Sequence, residues 1–98
     1  METITFRRGD SVVWTFEPED GSGQPVDLTG AVAWIEVHTG ATCARLPLER
    51  AGQGFEWAVN DRTIPDLPAR PYRATLVIEW PDGLRDRDDF TLWIERGC

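Results

Sequence analysis

Residues 8–30, RGDSVVWTFEPEDGSGQPVDLTG, decide how this chain folds. Arg8-Gly9-Asp10 is turn chemistry between two alternating runs. Val12, Trp14 and Phe16 then share one face of an extended segment, because successive side chains of a strand point to opposite sides. Glu17 to Gln24 is a polar, glycine-containing loop, and Pro25-Val26-Asp27-Leu28-Thr29-Gly30 steps back into an apolar run. Turn, strand, loop and strand entry in that order set a β fold. The stretch contains no catalytic constellation.

The same period of two runs outward in both directions. Ile4 and Phe6 alternate with Thr3, Thr5 and Arg7, and residues 31–38 form a third run. Phe55, Trp57 and Val59 make a shorter one. Tyr72, Ala74, Leu76, Ile78 and Trp80 alternate against Arg73, Thr75, Val77 and Glu79, and Phe90, Leu92 and Ile94 against Thr91, Trp93 and Glu95. Residues 42–48 are weaker and interrupted by Pro47, which predicts an edge strand. No apolar stripe persists at helical spacing. About seven short strands separated by turns predict a single β-sandwich or small barrel over residues 1–98. Residues 60–70, with Pro65 and Pro68, read as a crossover with room for one helical turn. Trp80-Pro81-Asp82-Gly83-Leu84 predicts an antiparallel hairpin with Gly83 in the left-handed conformation.

Composition narrows the chemistry. The 98 residues are enough to bury a core without metals or disulfides, and five tryptophans are many for that length. All ten basic residues are arginine, which fits either a GC-rich genome or a preference for bidentate contacts. A net charge of −7 argues against nucleic-acid binding. No stretch has the length of a membrane span, and the start, Met-Glu-Thr-Ile-Thr, lacks the layout of a secretory signal. The expectation is action where the chain is made or inside an assembly. Cys43 and Cys98 are expected as free thiols, a disulfide within or between chains being the alternative.

Candidate chemistry is thin. Arg8-Gly9-Asp10 matches an integrin-binding tripeptide but is needed as a turn. Glu17-Pro18-Glu19-Asp20 and Asp86-Arg87-Asp88-Asp89 lack calcium-loop spacing and read as solvated loops. His38 and Cys43 are near in sequence, yet two ligands do not make a zinc site. No catalytic residues, no metal and no cofactor are expected.

The turn Arg8-Gly9-Asp10, the alternating strand after it and the entry Gly23-Gln24-Pro25-Val26-Asp27-Leu28-Thr29-Gly30 resemble small immunoglobulin-like domains of tailed bacteriophages, in particular the N-terminal domain of baseplate upper proteins. The resemblance covers about the first forty residues, and beyond them only strand number and length agree. It implies an all-β, immunoglobulin-like antiparallel sandwich without catalytic residues. Trp34 and His38 depart from it, standing where such domains often carry polar or basic residues.

In that arrangement the third strand and the last two share a sheet. With Ala33, Ile35, Val37, Leu76, Ile78, Leu92 and Ile94 inside, Trp34, Val77 and Trp93 fall on the outer face. Removing a tryptophan from water is worth about 4–6 kcal/mol by area, as an upper estimate, so two exposed together predict a protein–protein interface. The expected interface is Trp34, Glu36, His38, Arg73, Val77, Glu79, Trp93 and Glu95. The alternative is that a loop such as 60–70 covers the tryptophans. The implied function is a virion structural subunit in tail or baseplate, repeated in many copies and contacting other virion proteins, with no nucleic acid or membrane partner. Capsid decoration is the nearest alternative. An acidic inhibitor of a host nucleic-acid-binding enzyme and a glycan-binding module are the readings from other classes.

Overall fold

A computed structural model describes every residue except Met1, Pro65 and Cys98. Its strands are β1 Glu2–Arg7, β2 Val12–Phe16, β3 Val32–His38, β4 Cys43–Pro47, β5 Glu49–Ala51, β6 Gly54–Val59, β7 Pro71–Glu79 and β8 Arg85–Glu95. One sheet has the order β1-β8-β7-β3-β4 and the other β2-β6-β5. Three strands facing five, with β3, β7 and β8 at the centre of the larger sheet, is the layout of an immunoglobulin-like sandwich with one added strand beside the third.

Two details differ from expectation. Among the described residues eight strands form rather than about seven, because Glu49–Ala51 makes a short edge that pairs with β6. Its three residues are too few to show a period. The larger sheet is mixed rather than antiparallel: β1 runs parallel to β8, with Ile4 opposite Leu92 and Phe6 opposite Ile94. Arg8-Gly9-Asp10 is therefore a turn between sheets and not a hairpin. Asp10 N–H donates to the Arg7 carbonyl at 3.0 Å, closing that turn. Arg8 folds back, its guanidinium 3.6 Å from Asp61 and 3.4 Å from the Leu67 carbonyl, so the tripeptide is spent on the 60–70 crossover.

Among its described residues, the crossover carries no helix. Asn60 accepts from the amides of Thr63 and Ile64, and this single turn seats Ile64 in the core. A second anchor follows. Tyr72 at the start of β7 donates its hydroxyl to the Pro68 carbonyl at 2.7 Å, the tyrosine corner of immunoglobulin-like domains. Two residues on, where disulfide-bonded members of that fold place a cysteine, stands Ala74, fully buried. Aromatic packing fills the space instead: Trp57 lies 5.3 Å from Trp14 and 6.5 Å from Phe90, centroid to centroid. The Cys98 half of the disulfide question lies outside the described residues, and Cys43 is a free, exposed thiol.

The PVDLTG entry closes the other end of the core. The Asp27 carboxylate accepts from the Thr29 amide at 3.0 Å and its hydroxyl at 2.8 Å, which turns the chain and drops Leu28 beside Ala31, Ala33, Phe55 and Ile78. Gly30 takes φ +77°, and a Cβ there would meet Pro81 at 3.0 Å, so this turn packs against the last hairpin. That hairpin is as expected. Gly83 adopts φ +89° and donates to the Trp80 carbonyl, while Trp80 N–H pairs with Leu84.

Candidate functional site: the outer face of the five-stranded sheet

The register places all eight expected interface residues on one face. Trp34 lies opposite Val77, which lies opposite Arg87; Glu36 lies opposite Thr75, and Thr75 opposite Asp89. His38 and Arg73 fall one step along the same alternation, Glu79 is opposite Arg85, and Trp93 and Glu95 continue β8. The facing read from the sequence holds. The exposure does not. Trp34 is 4% exposed and Val77 is fully buried, whereas Trp93 is 41% exposed.

What covers Trp34 is arginine. The Arg45 guanidinium carbon from β4 stacks 3.6 Å from the indole centroid, and that of Arg85 from β8 lies at 5.4 Å. Guanidinium stems lying over an indole shield it from water and gain a cation–π attraction. The indole N–H donates to Glu36 Oε2 at 3.1 Å, and Arg87 donates to Glu36 Oε1 at 3.0 Å. Glu79 holds Arg85 at 2.8 Å. Trp34 and Val77 therefore leave the accessible interface: they floor a small outer core whose lid is charged. Of the alternative cover, residues 60–70, Ile64 is packed in the core between the sheets and Leu67 lies against it.

A second string of polar contacts runs beside it. The Thr75 hydroxyl donates to Asp89 Oδ1 at 2.7 Å, and Arg73 donates to the same carboxylate at 3.1 Å. Having spent its one proton, Thr75 can only accept from His38, whose Nε2 lies 3.3 Å away. Nε2 is thereby assigned a proton, and Nδ1 lies 3.6 Å from the Cys43 thiol. These contacts move two titrations. Trp34, then Arg87, hold the Glu36 carboxyl below its usual 4.5; Thr75, then Arg73, hold Asp89 below 3.8.

Glu36, His38 and Cys43 bring three donor atoms within 4.8 Å of one another, a third partner that spacing alone did not suggest. Thiol, imidazole and carboxylate are a zinc-type donor set. Both Glu36 oxygens, however, are already committed to Trp34 and Arg87, and the guanidinium puts a fixed positive charge beside the carboxylate a cation would need. The arrangement serves as a clamp on Trp34. Nor do His38 and Cys43 line the two clefts of about 930 and 330 Å3 in which a substrate would be held.

Sequence reasoning missed Arg45, Thr75, Arg85 and Asp89. Residues 86–89 were expected as a solvated loop but lie in β8, because the hairpin zips without a break from Glu79 opposite Arg85 to Pro71 opposite Trp93. The signal was present in the alternation of Arg85, Arg87 and Asp89 across from Glu79, Val77 and Thr75.

Around Trp93 the cover is absent. Its cross-strand neighbours are Thr5 and Pro71, side chains too short to arch over an indole. Thr3 and Thr91 form the next pair along the face. The result is a threonine-flanked tryptophan on the surface, beside the Arg73–Asp89 pair.

No family model matches the chain, and no curated protein matches it. Among solved structures, murine CRIg is similar at 12% identity and a TM-score of 0.49, over 98% of this chain and 92% of that one.

Proposed function

We propose that this chain is a structural protein of a bacteriophage or phage-derived particle, a small tail, baseplate or fibre-attachment subunit acting by protein–protein contact and without enzymatic activity. The observation that carries the reading is Trp93: a large aromatic side chain, 41% exposed, on the flat face of a rigid sheet. Exposed aromatics with a polar surround are the usual anchors of protein contacts. The sequence resemblance of residues 8–30 to phage immunoglobulin-like domains supplies the setting. Arg73, Asp89 and Glu95 form the polar rim that orients the partner, and repetition on a symmetric particle gives a domain this small its avidity. Its place is the virion, after synthesis in the bacterial cytoplasm.

Mass spectrometry of purified particles tests this. The protein should be present in many copies, in the tail rather than the head fraction, and absence from particles sinks the proposal. Recovery with heads would support capsid decoration instead. Trp93→Ala should fold normally and fail to be incorporated.

A further inference from the structure

Along one flank of the sandwich a cleft opens between the two sheets. Among the described residues, β1 pairs with β8 from Phe90 onward, Glu2 being the first partner. Among the described residues, no strand flanks 85–89 of β8 on that side, and β2 is likewise an edge of its own sheet. Between these two unpaired edges lies a cleft of about 930 Å3. Trp14, Phe16, Leu76 and Ile78 form its apolar floor. Its rim carries Glu2, Glu17, Glu19, Asp86 and Asp88. The cation beside them, Arg87, turns its guanidinium to Glu36 on the opposite face of the sheet.

Acidic residues on a strand edge commonly serve only to prevent self-pairing. That role explains the carboxylates but not an apolar floor left open beneath them. Floor and rim together define an occupant. It must be extended, because the free groups are a strand's amides and carbonyls. It must also carry long cationic side chains, whose stems lie on apolar surface while their heads reach carboxylates.

We propose that this cleft binds an extended segment of a partner protein with arginine or lysine at alternate positions, which adds as a strand to β8 in line with β1. Residues 85–89 span roughly 17 Å, so a core of about five partner residues fills the slot. Main-chain pairing supplies the grip and the acidic rim the choice of partner. A second copy of this chain is disfavoured by its net charge of −7. The cleft lining does not include Trp93, so this inference and the proposed function stand or fall separately.

The probe is a capped peptide of about nine residues alternating threonine and arginine, long enough to overhang the slot at both ends. Binding is followed by tryptophan fluorescence and by hydrogen exchange of individual amides. The expected result is saturable binding that protects the 85–89 amides and weakens about tenfold in Asp88→Arg, a variant checked by thermal melting to be folded. The threonine–glutamate peptide should not bind. Equal binding of both peptides, binding without protection at 85–89, or an undiminished affinity in folded Asp88→Arg overturns the proposal. So does protection of those amides by self-association without peptide.

Discussion

Trp34 and Trp93 occupy the same face of the same sheet, yet one is buried and the other bare. The difference lies in their neighbours. Trp34 has Arg45 stacked on it from β4 and Arg85 from β8, with Glu36 holding its N–H. Trp93 has a threonine on one side and a proline on the other. A strand's period assigns a side chain to a face; whether that face is wet depends on the length of side chains on the neighbouring strands. The same sheet thus builds a second, charged-lidded core at one end and keeps an accessible aromatic at the other.

The largest test of this contrast is truncation of each indole. Trp34→Ala should cost about 3–5 kcal/mol, the range for emptying a buried aromatic site, and leave Glu36 facing Arg87 over a cavity. Trp93→Ala should change stability by less than about 1 kcal/mol, as expected where water already reaches the side chain. Urea unfolding of both variants reads the difference. Equal costs would mean that the two sites are not distinct in kind.

Removing the lid comes next. Arg45→Ala should cost about 1–2 kcal/mol, through lost packing and cation–π attraction, while keeping Trp34 in place. Acrylamide quenching should then reach one more tryptophan than in the wild type. Arg45→Lys should recover only part of the loss, since an ammonium is not planar and cannot lie flat on the ring. If quenching is unchanged in Arg45→Ala, Arg85 alone suffices as cover.

These outcomes bear on what could be read from the chain beforehand. The two-layer β fold was legible, because Val12-Val13-Trp14-Thr15-Phe16 and the runs at 72–80 and 90–95 keep an apolar residue at every second, inward position. The last hairpin was legible down to Gly83, since its geometry is local. The parallel pairing of β1 with β8 was not, because the two strands lie at opposite ends of the chain and nothing local encodes their partnership. The outer face was half legible. Alternation put Trp34, Glu36, His38, Arg73, Val77, Glu79, Trp93 and Glu95 together, but the cover over Trp34 depends on β3–β4 and β7–β8 register, a long-range property. Charge-rich 86–89 looked like loop because each of its residues is hydrophilic. Those residues and Arg85 form strand because the sheet they join offers Glu79, Glu36, Thr75 and Arg73 as partners.

The smallest expected effect is electrostatic and separates the clamped end from the bare one by pH. Glu36 and Asp89 titrate below their usual 4.5 and 3.8, for the hydrogen bonds they accept in the fold. A carboxyl with a lowered folded-state pKa contributes stability that is fully present above its unfolded value, near 4, and lost as pH falls through the folded value. Acid should therefore loosen two contacts, the Trp34 clamp at Glu36 and the Arg73–Asp89 pair beside Trp93, while the Trp93 indole itself, hydrogen-bonded to neither carboxylate, is not released by it. The urea midpoint of the wild type should fall steadily below about pH 4.5, and that of Glu36→Gln with Asp89→Asn should fall less steeply over the same window. Both partners are partly solvated, at 21% and 41% side-chain exposure, so the divergence should be modest and reduced further by salt. Parallel slopes for the two proteins would show that the carboxylates merely decorate the lid, leaving the guanidinium stems as what keeps Trp34 dry.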